Sequence, residues 1–98
     1  MQSLNDEHMP HVTSRVARFH VNPDGDADGM ILLNGVEVHF APYLSNAVLT
    51  AVHIGDRVTV YGMLPKPRPM IVAAIIEATN GARIEDCGGV IGKASRFG

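Results

Sequence analysis

Residues 29–40 read Gly-Met-Ile-Leu-Leu-Asn-Gly-Val-Glu-Val-His-Phe, and this stretch decides the fold because two apolar, β-rich runs flank a turn signal. Asn34 and Gly35 form the dipeptide that best tolerates the two positive φ angles of a two-residue type I′ hairpin turn. In that register the cross-strand pairs are Leu33 with Val36, Ile31 with Val38, and Gly29 with Phe40. The sequence therefore predicts a β-hairpin whose pairing follows from its turn.

The predicted register also decides which side chains of the hairpin face the solvent. Successive side chains of a strand point to opposite faces of a sheet. The inner face is expected to hold Ile31, Leu33, Val38 and Phe40. The outer face is expected to carry Met30, Leu32, Glu37 and His39.

Patterns on either side of the hairpin predict a strand before it and a helix after it. Residues 12–21 are rich in β-branched and apolar residues, and the turn sequence Asn-Pro-Asp-Gly follows at 22–25. After Pro42 the apolar residues between 44 and 51 follow the i, i+3, i+4, i+7 spacing of an amphipathic helix, and Gly55 supplies a stop. The helix has about three turns at most.

Two more strands are predicted after the helix. Residues 57–62 alternate between polar and apolar side chains, and the proline-rich run at 65–69 ends that strand. Residues 70–78 are nearly all apolar and β-rich, which predicts a strand buried over much of its length. Residues 82–86 are expected to add a short return strand.

The order of three strands, one short helix and two strands is that of the oligonucleotide/oligosaccharide-binding (OB) fold. We therefore expect an all-β protein, a five-stranded Greek-key barrel with one short helix between strands three and four. With 98 residues, of which 46% are hydrophobic, the chain suits one domain. That domain is expected over residues 12–86, between a flexible N-terminal arm at 1–11 and a flexible C-terminal tail at 87–98.

Three segments carry a resemblance to a known group of proteins. Residues 21–32, 38–44 and 55–62, the last reading Gly-Asp-Arg-Val-Thr-Val-Tyr-Gly, resemble a family of small, mostly uncharacterised bacterial OB-fold proteins. The similarity spans roughly residues 12–76, and in that family the Gly-Asp-x-Val-x-Val-x-Gly segment starts strand four. The resemblance implies a fold without an established activity.

Composition narrows the function classes. A net charge of −2 argues against strong non-specific attraction to phosphate backbones, so a nucleic-acid role needs a local basic patch. The first residues lack an export signal, the single cysteine forms no internal disulfide, and no apolar run reaches the roughly 18 residues of a membrane span. A cytoplasmic protein with no membrane partner is expected.

OB-type barrels commonly bind ligands on the outer face of strands two and three, between the loops that follow strands one and four. Single-stranded DNA or RNA is the first ligand that this face predicts, with Met30, Leu32 and His39 giving contact area and Tyr61 stacking on a base. Phosphate charge is expected from Arg57, Lys66 and Arg68, with Arg15 and Arg18 as further basic residues. The alternative is that a second copy of the chain, or another protein, covers the apolar part of the same face.

Calcium binding, copper binding and catalysis are three further hypotheses for these residues. Asp24, Asp26 and Asp28 match the first half of a calcium loop, but the position of the bidentate Glu is Gly35. Histidines and methionines that suit copper(I) have no diagnostic ligand spacing; they are His20, Met30, His39, Met63 and Met70, with His8, Met9 and His11 on the arm. No nucleophile lies in a catalytic motif, so we expect a non-catalytic protein without a cofactor.

Overall fold

A computed structural model of the chain describes residues 9–64 and 69–86. Its elements are β1 (His11–Val21), β2 (Ala27–Leu32), β3 (Glu37–His39), a 3₁₀ turn (Pro42–Leu44), α1 (Ser45–Ala51), β4 (Arg57–Met63), β5 (Met70–Ala78) and β6 (Arg83–Glu85). The predicted arm, residues 1–11, lies mostly outside the described residues. Its last residue, His11, is the first residue of β1 and pairs with Tyr61 of β4. The predicted tail at 87–98 lies outside them.

The strands close into a barrel because β1 is long enough to pair with two neighbours. Its first half pairs with β4 and its second half with β2, and both pairings are antiparallel. The strand order is β3-β2-β1-β4-β5-β6, and a parallel pairing between β3 and β5 closes the circle. The predicted all-β, five-stranded barrel with one short helix between strands three and four is confirmed, and it is OB-like.

The core fills the inside of this barrel and continues under the helix. Its fully buried side chains are Val16, Met30, Leu32, Val38, Val48, Val52, Val58, Val60, Ile71 and Ile76. Val48 belongs to α1 and Val52 follows it, so the helix contributes to the same core as the strands. Ser45, the only buried polar residue among the described ones, accepts a hydrogen bond from the backbone N–H of Ala27 at 2.9 Å.

The turn between β2 and β3 differs from the predicted one. Gly35 has a φ of 90°, but no described non-glycine residue has a positive φ, so Asn34 does not adopt the conformation that a type I′ turn requires. The carbonyl of Leu32 accepts from the N–H of Gly35 at 2.9 Å, and the N–H of Leu32 donates to the carbonyl of Val36 at 3.0 Å. These two bonds enclose a three-residue loop, residues 33–35, with glycine at its left-handed position.

The extra loop residue shifts the register of the hairpin by one. The observed pairs are Gly29 with His39, Met30 with Val38, and Ile31 with Glu37. A one-residue shift exchanges the faces of a strand. The predicted faces of β3 are confirmed, whereas those of β2 are wrong.

The residues expected on the outer face of β2 lie on its inner face. Met30 and Leu32 are 0% and 1% exposed and belong to the core, so neither supplies outward contact area. Ile31, which was expected inside, pairs outward with Glu37 and is only half-buried. Leu33, also expected inside, lies in the turn and is 66% exposed.

This register predicts unequal costs for two neighbouring truncations. Met30→Ala removes a fully buried side chain and is expected to lower the free energy of unfolding by about 2–5 kcal/mol. Ile31→Ala is its matched control, with an expected loss of about 1 kcal/mol because its side chain is only half-buried. Urea unfolding measures both values, and a larger loss for Ile31→Ala would contradict the observed faces.

Candidate ligand-binding face

A shallow depression of about 320 Å³ lies on the outer face of β1, β2 and β3, and we call it the outer groove. The outward side chains that line it are Arg18, His20, Asp28, Ile31, Glu37 and His39. It combines one cation, two carboxylates, two imidazoles and one aliphatic side chain. The corrected register therefore gives this face a polar character in place of the expected apolar one.

The side chains of the groove stand in two cross-strand rows. The histidine row runs through His20, Gly29, His39, Val72 and Met63, which are successive Cα partners on β1, β2, β3, β5 and β4. Beside it, the arginine row runs through Arg18, Ile31, Glu37 and Met70. Directly paired side chains on one face of a sheet are close enough to interact, and the histidine row is interrupted only at Gly29, which has no side chain.

Both imidazoles of the groove are held by a carboxylate. His20 Nδ1 lies 2.6 Å from Asp28 Oδ1, and His39 Nε2 lies 3.3 Å from Glu37 Oε1. Asp28 reaches the outer face because β2 has a bulge: His20 pairs with Gly29 while the next residue of β1 pairs with Ala27. The side chains of His20 and His39 nevertheless stay 66% and 53% exposed.

The structure brings only part of the predicted ligand set to the groove. His39 is there. Tyr61 is half-buried on β4, its ring centroid is 5.4 Å from that of His11, and its hydroxyl donates to Glu77 at 3.5 Å, so it does not line the groove. Arg57 is exposed and pairs with Arg15 across β1 and β4. Lys66 and Arg68 lie outside the described residues.

Of the groove residues, the sequence predictions placed Ile31 on the inner face, named Arg18 only as a further basic residue and considered His20 only for copper. Ile31 was expected on the inner face because the predicted turn was one residue too short. Only the observed register places Ile31 on the outer face. Arg18 and His20 share the outer face because a bulge between Val16 and Arg18 resets the alternation of β1. A sequence pattern does not locate a bulge of this kind, because no glycine or proline marks it.

The acidic turn before β2 is organised by an asparagine. Asn22 Oδ1 accepts from the N–H of Asp24 at 2.9 Å and from the N–H of Asp26 at 3.0 Å. The carboxylate of Asp28 bonds to His20, so the three aspartates proposed for calcium do not converge. Across residues 9–64 and 69–86, no three His, Cys, Asp or Glu side chains are grouped so as to hold a metal ion.

The methionines and histidines considered for copper are likewise dispersed. Met30 is buried in the core, whereas Met63 is 73% exposed at the far end of the histidine row. His20 and His39 stand on either side of Gly29 and each contacts its own carboxylate. The described residues thus present these side chains as parts of one face and not as one ligand set.

Comparisons with protein-family models, with curated proteins and with solved structures gave no match. The resemblance to small bacterial OB-fold proteins therefore stays a prediction. In the described part of the chain, no helix has both the length and the apolar character that crossing a membrane requires.

The turn geometry predicts that calcium leaves this loop unchanged. Because Asn22 already satisfies two backbone N–H groups and Asp28 is bonded to His20, millimolar Ca²⁺ is expected to leave the amide signals of residues 22–28 in place. An NMR titration measures this, with Mg²⁺ as the control for ionic strength. Saturable shifts confined to this loop with Ca²⁺ would contradict the expectation.

Proposed function

We propose that the protein is a non-catalytic binding module that takes a short stretch of single-stranded nucleic acid across the outer groove. The observation that carries the proposal is the pair of exposed imidazole rings, His20 and His39, standing on either side of Gly29 on the outer face of β1 to β3. Rings on an open sheet face are the type of side chain on which unstacked bases stack. The barrel surface between its loops is also where OB-type barrels commonly bind oligonucleotides.

Charge on the neighbouring surface favours a defined path for the phosphates. Arg18 lies in the groove, Arg15 lies three residues earlier on β1, and Arg57 pairs with Arg15 on β4. These three arginines lie on two neighbouring strands, β1 and β4, and supply cations despite the net charge of −2. Phosphate contacts by arginine position a nucleic acid without reading its sequence.

The carboxylates of the groove orient the ligand. Asp28 and Glu37 repel phosphate groups, and each already contacts an imidazole. We therefore place the bases over the histidine row and the sugar-phosphate backbone along the arginines. With only a few phosphate contacts, the affinity is expected to be weak, with a Kd on the order of 10 µM.

A second candidate function is association with another protein or with a second copy of the chain. The sequence pattern favours this function because it predicts Met30 and Leu32 on the outer face. Both side chains are buried in the core, so they do not support it. A different apolar group takes its place, because Met63, Leu64 and Val72 are 73%, 50% and 44% exposed near the ends of β4 and β5. Val72 pairs with both Met63 and His39, so this group adjoins the groove.

The nucleic-acid proposal predicts a salt dependence that specific arginines control. Fluorescence anisotropy with a labelled single-stranded oligonucleotide of mixed sequence is measured at increasing salt concentrations. Arg18→Gln and Arg57→Gln are each expected to weaken binding several-fold and to reduce the slope of log K against log salt by about 0.7. Arg83→Gln is the matched control, because Arg83 lies on β6, does not line the groove, and is paired with Glu77 and Glu85.

Unchanged slopes for Arg18→Gln and Arg57→Gln would contradict the proposed path of the phosphates. Absence of binding by the unaltered protein at low salt would overturn the proposed function itself. In that case, sedimentation equilibrium tests the second candidate function. A concentration-dependent mass that Val72→Glu abolishes would support association through the apolar group.

A further inference from the structure

The histidine row contains a gap at its centre that has the width of a planar ring. β1 and β3 both neighbour β2, and adjacent strands lie about 4.8 Å apart, so the Cα atoms of His20 and His39 are separated by roughly 9.5 Å. Between them lies Gly29, which has no side chain. The two imidazoles thus form walls, and the backbone of β2 forms the floor between them.

The backbone itself keeps this gap open. A Cβ atom at position 29 would lie 2.6 Å from the carbonyl oxygen of Val38, which is closer than such atoms approach, so the position suits glycine alone. Carbon atoms in contact are about 3.5–4 Å apart, so a flat ring contacted on both faces needs roughly 7–8 Å between its two walls. A spacing of about 9.5 Å between the Cα atoms therefore leaves room for one flat ring between the two imidazoles.

The hydrogen bonds of His20 and His39 leave polar groups beside the gap. His20 uses Nδ1 and His39 uses Nε2 to contact Asp28 and Glu37, and among the described residues the other ring nitrogen of each histidine has no hydrogen-bond partner. Asp28 directly precedes Gly29, so its carboxylate borders the floor. A carboxylate accepts from an exocyclic amino group and repels a carbonyl oxygen at the same place.

We propose that His20, Gly29 and His39 form a slot for one unstacked nucleobase that carries an exocyclic amino group, as cytosine and adenine do. One face of the base stacks on His20 and the other on His39, and the amino group donates to Asp28. Thymine and uracil present a carbonyl oxygen where cytosine and adenine present the amino group, so the slot disfavours thymine and uracil. This inference rests on the proposed function and specifies which bases that function selects.

The test compares three short oligonucleotides of equal length: oligo(dC), oligo(dT), and a strand of abasic sugar-phosphate units. The unaltered protein is expected to bind oligo(dC) about tenfold more tightly than oligo(dT), and the abasic strand least of all. His20→Ala and His39→Ala are each expected to weaken binding to oligo(dC) about five- to tenfold while leaving binding to the abasic strand unchanged.

Three further variants and one control separate stacking from a structural effect. His39→Phe keeps a ring and is expected to retain most of the affinity for oligo(dC), whereas His39→Leu loses it. Asp28→Ala is expected to bring the ratio of the dC and dT affinities close to one. His53→Ala is the matched control, because His53 is another exposed histidine beside a carboxylate, 3.5 Å from Asp56, and does not line the groove.

NMR supplies a readout that a merely structural role would not give. Stacking on a base is expected to move the ring-proton signals of His20 and His39 upfield when oligo(dC) is added, while those of His53 stay in place. Equal binding of oligo(dC) and oligo(dT), together with no effect of either alanine variant, would overturn the slot and leave the proposed function standing. No binding of any oligonucleotide would overturn both.

Discussion

The two hydrogen bonds that Leu32 makes across its turn, with Gly35 and Val36, set the geometry on which the rest of the molecule depends. They enclose three residues, and only glycine adopts the positive φ at the end of such a loop without strain. Through the register they place Met30 and Leu32 in the core. A loop one residue shorter would place Ile31 and Leu33 there and give the barrel a different outer face.

The same register builds the candidate site. It aligns Gly29 with His20 on one side and with His39 on the other, and it aligns Ile31 with Arg18 and Glu37. Because β3 also pairs in parallel with β5, the alignment continues to Val72 and Met70 and is shared by four strands. The groove is therefore a consequence of barrel closure, and a change at the turn would alter the core and the site together.

The sequence predicted the fold well because most elements carry an unambiguous pattern. The stretch around β3, residues 36–40, alternates between Val36, Val38 and Phe40 on one face and polar residues on the other, so the faces of β3 were predictable. β2 has no such alternation, since residues 30–33 are all apolar and either register offers it an apolar inner face. Asn34 and Gly35 suit both loop lengths. Packing inside the closed barrel, which no local pattern encodes, selects the longer loop and thereby the site.

Cross-strand NOE contacts between Hα protons of β2 and β3 test this central claim most directly. The bonds from Leu32 to Val36 and from Phe40 to Asp28 mark two hydrogen-bonded pairs. Because hydrogen-bonded and non-hydrogen-bonded pairs alternate along the ladder, the pairs 29/39 and 31/37 are non-hydrogen-bonded, and their Cα atoms lie about 4.5 Å apart. Strong Hα–Hα contacts are expected between Gly29 and His39 and between Ile31 and Glu37. Contacts between Met30 and His39 and between Leu32 and Glu37 in their place would contradict the account.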